Sequence, residues 1–482
     1  MDVNAALLCA SCGSPLFSCF LVDNFLYYNR VNAEADELGL FTAVKPARRI
    51  DRALDNFHPD IEFGEVLGTF YVDRGTQSPV EEIRNHLIFE SEYPKLILTG
   101  PRGAGKSMEL MKIQQDRKIN RSFFVKVMPM KVSALALITT MLKEVRDVAR
   151  ERKVPFTREM KDANDFLHFR FGWNVEVELW GAPKREVFDE DWLDTSKMSD
   201  RKVRLLKKKL LDVDMVTIIT WINVFSEEIE KKKKRPVLIL VKDLDKLNRD
   251  LALEMFDKNG AFLRLPKCFV IYTFPGHLYF DSNFDRIRRN FSDLYFLRNF
   301  NPWTTEQYSY CWHYRKMREI ASKRIHPKLF DTTRGDIIDD LIFYSGGVPL
   351  EYTGLLRQCA LIASRKQFPL LDFIKWCYRW VFYPSERDFL SRRIKNAWYK
   401  RITPDIKDQV IGRRRDYYRN SLSPKQINTL IEILREPDLF DPKTEEHADM
   451  LERDLIIQYG PENQFSFRIN PFVREYVAKF NR

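Results

Sequence analysis

The chain has 482 residues, of which 44% are hydrophobic and 30% charged, with a formal net charge of +11 and a pI near 9.1. This length suits two or three domains, and the composition is that of an ordinary globular protein. No run of about 18 apolar residues is present, which argues against a membrane-spanning helix. Seven scattered cysteines favour free thiols in a reducing, cytoplasmic compartment over a disulfide framework.

From Phe70 to Ala363, short apolar runs rich in Val, Ile and Phe alternate with longer amphipathic stretches. This alternation is typical of strands and helices in a parallel α/β sheet. The predicted strands are almost entirely apolar, as expected for strands that are covered on both faces. They are Lys95–Thr99, Phe123–Val127, Val237–Val241, Phe269–Thr273 and Leu294–Leu297.

The chain divides into five predicted segments. Residues 1–64 are an N-terminal extension, residues 65–300 the α/β core, 301–380 a helical lid, 381–423 basic linker helices, and 424–482 a winged-helix-like domain. A mostly helical insertion, residues 131–235, is predicted within the core, with a short strand at Asn174–Leu179. The winged-helix outline rests on predicted helices at Lys425–Arg435, Lys443–Asp454 and Phe472–Phe480, with a hairpin at Leu455–Tyr459 and Phe465–Asn470.

A glycine-rich loop follows the first predicted strand. Gly100-Pro101-Arg102-Gly103-Ala104-Gly105-Lys106-Ser107 matches G-x-x-x-x-G-K-S, and a predicted helix continues from Met108. In such a loop, backbone N–H groups wrap phosphates, Lys106 reaches the β- and γ-phosphates, and Ser107 holds Mg²⁺. The sequence therefore predicts that Mg-ATP, or its product ADP, is the central ligand.

The acidic half of such a site follows the third predicted strand as Lys242-Asp243-Leu244-Asp245. An acid at the end of a core strand supports Mg²⁺ and polarises the attacking water. Because the Lys242 ammonium would oppose a divalent cation, Asp243 is assigned the metal-supporting role and Asp245 a structural or water-positioning one. The alternative is that magnesium is held weakly, with slow or no hydrolysis.

Four segments, in this order, resemble the signal-transducing ATPases with numerous domains (STAND), a branch of the AAA-like P-loop NTPases that includes bacterial anti-phage ATPases. Phe70–Arg74 resembles the element that touches adenine, and the phosphate loop with Met108-Glu109-Leu110 resembles G-x-R-G-x-G-K-S-x-E-L. Lys242–Leu247 resembles D-D-L-D-K, and Ser345–Leu350 resembles the G-x-P motif of the lid. The resemblance implies that Arg74 and Met108 help to bind the nucleotide, that Pro349 packs on the base, and that activation produces a homo-oligomer.

Further polar residues follow the fourth predicted strand. Thr273 is expected to face the γ-phosphate. One of Arg286, Arg288 and Arg289 is a candidate for the arginine that a neighbouring subunit supplies in trans, although a solvated basic face explains them equally well.

Two C-terminal features bear on macromolecular partners. The predicted recognition helix Lys443–Asp454 is acidic, which favours a protein partner over DNA. Arg392–Arg419 carries ten basic and three acidic residues with interleaved aromatics. That stretch suits a nucleic-acid strand, unless its aromatics are core and its arginines merely solvated.

Three functions are compatible with these features. The first is a nucleotide-dependent signalling switch in defence or stress response, as the resemblance implies, with slow or no hydrolysis. The second is a DNA-associated ATPase similar to replication initiators or transposition regulators. The third is a non-hydrolysing structural protein that keeps its nucleotide, similar to the P-loop protein of the mitochondrial ribosomal small subunit.

Overall fold

The computed structural model describes residues 46–57, 69–89, 92–129, 133–171, 213–303, 311–331, 336–365, 401–460 and 464–480. The predicted strand Asn174–Leu179 and residues 392–400 of the predicted basic stretch lie outside the described residues. Within the described ranges, no helix combines the length and apolar character needed to cross a bilayer.

The centre of the molecule is a parallel sheet of five strands in the order β2-β3-β4-β1-β5. All five predicted strands are confirmed, with ends displaced by at most two residues. The largest displacement is at Pro129, which extends the edge strand β2, where a missing N–H is tolerated. The bounds are β1 Lys95–Thr99, β2 Phe124–Pro129, β3 Val237–Lys242, β4 Phe269–Thr273 and β5 Asp293–Phe296.

Helices cover both faces of this sheet. Alternate strand residues, such as Ile97 and Leu98, contribute to two separate apolar cores. The helices of the predicted insertion, where they are described, form most of one helical layer and are therefore part of the core architecture. The bounds are α2 Val80–Phe89, α3 Lys106–Gln115, α4 Arg117–Ser122, α5 Ala134–Glu151, α6 Arg158–Phe171, α7 Met215–Lys233, α8 Arg249–Leu253, α9 Gly260–Arg264 and α10 Phe284–Arg288.

A third apolar core joins the lid, the C-terminal elements and a short N-terminal helix, α1 (Ile50–Asn56). The described part of the predicted N-terminal extension therefore packs on the lid. The C-terminal elements follow the predicted order, and we call residues 424–480 the C-terminal unit. The remaining bounds are α11 Trp312–Arg324, α12 Ile337–Tyr344, α13 Pro349–Arg365, α14 Pro404–Ser421, α15 Pro424–Arg435, α16 Glu445–Glu452, β6 Ile456–Tyr459, β7 Ser466–Ile469 and α17 Pro471–Val477.

Candidate nucleotide-binding site

The phosphate-binding loop, residues 100–107, connects the end of β1 to the start of α3. Gly100 has φ +138°, and a Cβ there would lie 2.0 Å from the carbonyl oxygen of Leu297, so only glycine fits. Among the described residues, no protein group accepts the backbone N–H groups of Gly103, Gly105, Lys106 and Ser107. Free amides at a helix N-terminus are the donors that phosphate oxygens require, so the loop fits a polyphosphate.

Lys106 is held inside the loop. Its Nζ donates to the carbonyl oxygens of Gly100 and Pro101, each at 2.8 Å, and lies 2.9 Å from Asp245 Oδ2. The side chain is 3% exposed, and this burial lowers the pKa of Lys106, while Asp245 acts in the opposite direction. A phosphate that binds Lys106 therefore replaces the carboxylate of Asp245, which neutralises the Lys106 ammonium in this structure.

The two aspartates after β3 have different partners. Asp243 takes the left-handed conformation, with φ +73°, and its Oδ1 lies 2.6 Å from Nζ of Lys246. That turn brings Asp245, two residues later, to the phosphate-binding loop. Lys242 is the last residue of β3 and is in register with Pro129. The metal-supporting role predicted for Asp243 is not tested, but the carboxylate beside the loop is that of Asp245.

Thr273 supports this turn from the neighbouring strand. It is fully buried, and its Oγ1 accepts a hydrogen bond from Leu244 N at 3.0 Å. The hydroxyl therefore fixes the backbone that carries the two aspartates.

The three arginines proposed as candidates for a subunit-bridging role, Arg286, Arg288 and Arg289, follow β4. Of these, Arg286 is bound to Asp257 at 2.5 Å.

Arg74 lies beneath the loop and is 5% exposed. Its guanidinium donates to the carbonyl oxygen of Arg298 at 2.7 Å and to that of Ala104 in the loop, and its Nε lies 3.6 Å from Glu109. Glu109 is 1% exposed and also accepts hydrogen bonds from Tyr71 and Ser78. Arg74, predicted to touch the nucleotide, thus braces the loop.

Glu109 had no role assigned from the sequence. The sequence feature that could have revealed its role is the position of this carboxylate in the first turn of α3, among the apolar residues that face the core.

The G-x-P segment of the lid lies directly on the phosphate-binding loop. Leu350 N donates to the carbonyl oxygen of Gly103 at 3.2 Å. A Cβ on Gly103 would be 2.9 Å from both Val348 Cγ1 and Leu350 Cβ, so the glycine permits this contact. Pro349 is the first residue of α13. Met108 lies in the first turn of α3, and its N–H donates to Gly105 at 2.9 Å.

A cleft separates the loop from the C-terminal unit. On the core side it is lined by Arg102 and Asp245, and on the opposite side by Glu452 and Asp454. Asp454 has φ +57°, uncommon for a residue other than glycine. Burial raises the pKa of Asp454 to about 6, and Arg102 opposes that rise. Both acids thus face a cation of the phosphate-binding loop.

The C-terminal unit contacts both the lid and the core. Tyr459 in β6 donates its hydroxyl to the carbonyl oxygen of Gly346 at 2.6 Å. The ring of Phe465 packs against the rings of Tyr279, at 5.3 Å between centroids, and Phe296, at 4.9 Å. The arrangement closes the lid and the C-terminal unit over the loop.

Of the six cations in the described part of the predicted basic stretch, residues 401–419, three form ion pairs with carboxylates. Arg414 forms a two-point ion pair with Glu351, with both distances 2.7 Å, and Arg415 pairs with Glu475. Tyr418 is buried in the core. Tyr418 is thus a core residue, whereas Tyr417 is 59% exposed, so each of the two interpretations accounts for part of α14.

The parallel sheet, with the phosphate-binding loop at the carboxyl end of β1, is an α/β fold of the P-loop NTPase kind. No family model matches the chain, and no curated protein is similar to it. Among solved structures, Cdc6p from Pyrobaculum aerophilum is similar at 11% sequence identity, over 89% of this chain and 98% of that chain, with a TM-score of 0.37.

Proposed function

We propose that the chain is an ATP-binding, STAND-type P-loop NTPase that acts as a nucleotide-dependent switch with slow or no hydrolysis. A role in defence or stress signalling is the biological setting that the family resemblance implies. One observation carries the proposal: the lid and the C-terminal unit both close on the phosphate-binding loop. The amide of Leu350 binds the loop carbonyl of Gly103, and Asp454 faces Arg102 across the cleft.

Nucleotide binding is supported by the four free amides of the loop together with Lys106. Magnesium fits the Ser107 hydroxyl and one carboxylate of the loop after β3. Asp245 is the better candidate for that carboxylate, because it lies beside the loop, with its Oδ2 2.9 Å from Nζ of Lys106, whereas the ion pair of Asp243 is with Lys246. When bound, magnesium would neutralise phosphate charge.

Slow hydrolysis is consistent with the partners of the polar residues around the loop. Asp245 is bound to Lys106, and Thr273 accepts from a backbone amide. Asp245 therefore has to leave Lys106 before it can orient an attacking water, and Thr273 is held in place by the backbone. Lys242, next to these acids, adds a cation that opposes magnesium.

The switch depends on the charge of the terminal phosphate. ATP places an additional phosphate close to the cleft, where Glu452 and Asp454 already face Arg102. Like charges repel, so ATP should drive the C-terminal unit away, whereas ADP permits closure. The opened molecule would then expose the surfaces for a homo-oligomer.

The output of the switch is proposed to pass to a protein partner. Helix α16 begins with Glu445 and Glu446, which would be repelled by nucleic-acid phosphates. The last residue of the helix, Glu452, lines the cleft. Release of the C-terminal unit would therefore expose this end of α16 and move its acidic first turn at the same time.

The experiment compares calorimetry and size-exclusion chromatography with ADP and with a non-hydrolysable ATP analogue. We expect both nucleotides to bind, only the ATP analogue to give an expanded or oligomeric species, and Lys106→Ala to abolish binding. Identical elution with both nucleotides contradicts the switch, and absence of heat contradicts nucleotide binding. A fast ATPase rate that depends on Lys106 contradicts slow hydrolysis.

A further inference from the structure

A second charged surface lies at the amino ends of β2 and β3, the edge of the sheet opposite the phosphate-binding loop. Helices α4, α5 and α7 all end there. Two arginines that follow α5 and α7 meet around one ring of β2: the guanidinium carbons of Arg152 and Arg235 lie 4.7 and 4.2 Å from the centroid of Phe124. Arg235 also donates to the carbonyl oxygens of Asn120 and Phe123, which joins α7 to α4.

We call residues 117–126, 150–153 and 228–235 the basic edge. They contain twelve cationic and three acidic residues, a net charge of +9 within a chain whose total is +11. Ten of the twelve cationic side chains are exposed. The basic edge is therefore a concentrated positive surface on one edge of the core.

The acids of the basic edge do not neutralise it. Glu151 binds Lys126 at 2.8 Å, Glu228 binds Lys231 at 3.0 Å, and Glu230 accepts a hydrogen bond from Tyr93. The other ten cations have no carboxylate within 4 Å among the described residues. Each of the three helix C-termini contributes roughly half a negative charge, which is far less than the positive charge present. Apart from these three acids, the described residues therefore place like charges together without a paired counter-charge.

We propose that the basic edge binds the phosphate backbone of nucleic acid without sequence specificity, a function separate from the nucleotide switch. A double helix carries one charge about every 1.7 Å, which matches a dense array of exposed cations. None of the large exposed hydrophobic side chains of the described residues belongs to the basic edge, so it lacks the apolar anchor that a bilayer or a protein hot spot uses. Phe124 is buried, so base stacking is not expected.

The test is fluorescence anisotropy of a labelled duplex of mixed sequence with the full chain at several salt concentrations. Each phosphate contact contributes about 0.9 to the slope of log affinity against log salt. Removing three contacting cations should therefore lower the slope by about 2.7. The basic-edge variant combines Arg121→Gln, Lys232→Gln and Lys233→Gln, and the control variant of equal charge combines Arg357→Gln, Arg413→Gln and Arg419→Gln.

We expect loss of affinity and slope in the basic-edge variant alone, with ATP binding by calorimetry unchanged in both variants. Circular dichroism of each variant verifies its folding, and single substitutions of the same residues provide a milder series. An equal loss in the control variant, no loss in either, or binding to phosphatidylserine vesicles in preference to the duplex overturns the proposal. Because ATP binding is measured in the same variants, failure of the nucleotide site is recognised separately.

Discussion

Replacing Asp245 by Asn should destabilise the nucleotide-free protein, because the Lys106 ammonium loses its counter-ion. Lys106 is 3% exposed, and the partners that it retains among the described residues are the carbonyls of Gly100 and Pro101. Removing one member of a buried ion pair costs about 3–5 kcal/mol. The two retained carbonyls place the expected loss near the lower end, about 3 kcal/mol. The measurement is the free energy of unfolding in urea, without nucleotide and with saturating Mg-ATP, whose phosphates should reduce the difference.

The pH dependence gives this prediction a second readout. Burial lowers the pKa of Lys106 while Asp245 raises it, so Asp245→Asn should lower that pKa further. A lysine whose folded-state pKa is below its unfolded value binds fewer protons when folded, so stability rises with pH between the two values. The penalty of Asp245→Asn should therefore shrink as the pH is raised from neutral towards the ordinary lysine pKa.

Asp243→Asn is the matched control for this variant. Its partner Lys246 has a side chain that is 59% exposed, and such surface pairs contribute about 0–1 kcal/mol. A loss for Asp243→Asn equal to that of Asp245→Asn, or a loss confined to Asp243→Asn, would refute the assignment of Asp245 as the carboxylate of the loop.

Three further predictions concern closure of the molecule. Tyr459→Phe leaves the buried carbonyl of Gly346 without its donor and should cost about 1–3 kcal/mol in urea unfolding; an unchanged free energy would count against the contact. Gly103→Ala would place a side chain at a residue with φ +76°, and its Cβ would lie 2.9 Å from Val348 Cγ1. We therefore expect a strained loop and faster release of a fluorescent nucleotide, measured by stopped flow. Slower release would contradict this prediction. Because the pKa of Asp454 is raised to about 6, the folded state favours its protonated form, and closure should be firmer below that pH. Backbone amides of residues 345–352 should therefore be better protected from hydrogen exchange below about pH 6 than above it in the wild type, and this pH dependence should be absent in Asp454→Asn.

The strands were predictable from sequence because a strand covered on both faces must be apolar throughout. Helix α1 was missed because it has only seven residues, and its apolar positions, Ile50, Ala53 and Phe57, are recognisable as a face only beside the lid. The predicted insertion, residues 131–235, contains helices α5, α6 and α7. Its helices cover the sheet, but sequence order alone does not show which helix lies on which face.

The site was predictable where its residues are contiguous and unpredictable where they are not. The phosphate-binding loop is one segment, so its spacing reveals it. The different partners of Asp243 and Asp245 depend on the left-handed conformation of Asp243, which aspartate tolerates but which no local sequence pattern places at this position. Asp454 faces Arg102 only because the C-terminal unit folds back over the core, a long-range contact without a local pattern.

The magnitude of the repulsion decides whether the cleft can operate as a switch. Two unit charges about 8 Å apart interact by roughly 2 kcal/mol at an effective dielectric constant of about 20. Reversing a population from 1:99 to 99:1 requires about 5.5 kcal/mol. One additional phosphate charge acting on Asp454 alone is therefore insufficient. Glu452 and Asp454 acting together on that charge contribute roughly 4 kcal/mol, which moves a population of 1:99 to about 9:1. The switch thus needs both acids, and neutralising either one should leave a molecule that binds ATP yet remains largely closed.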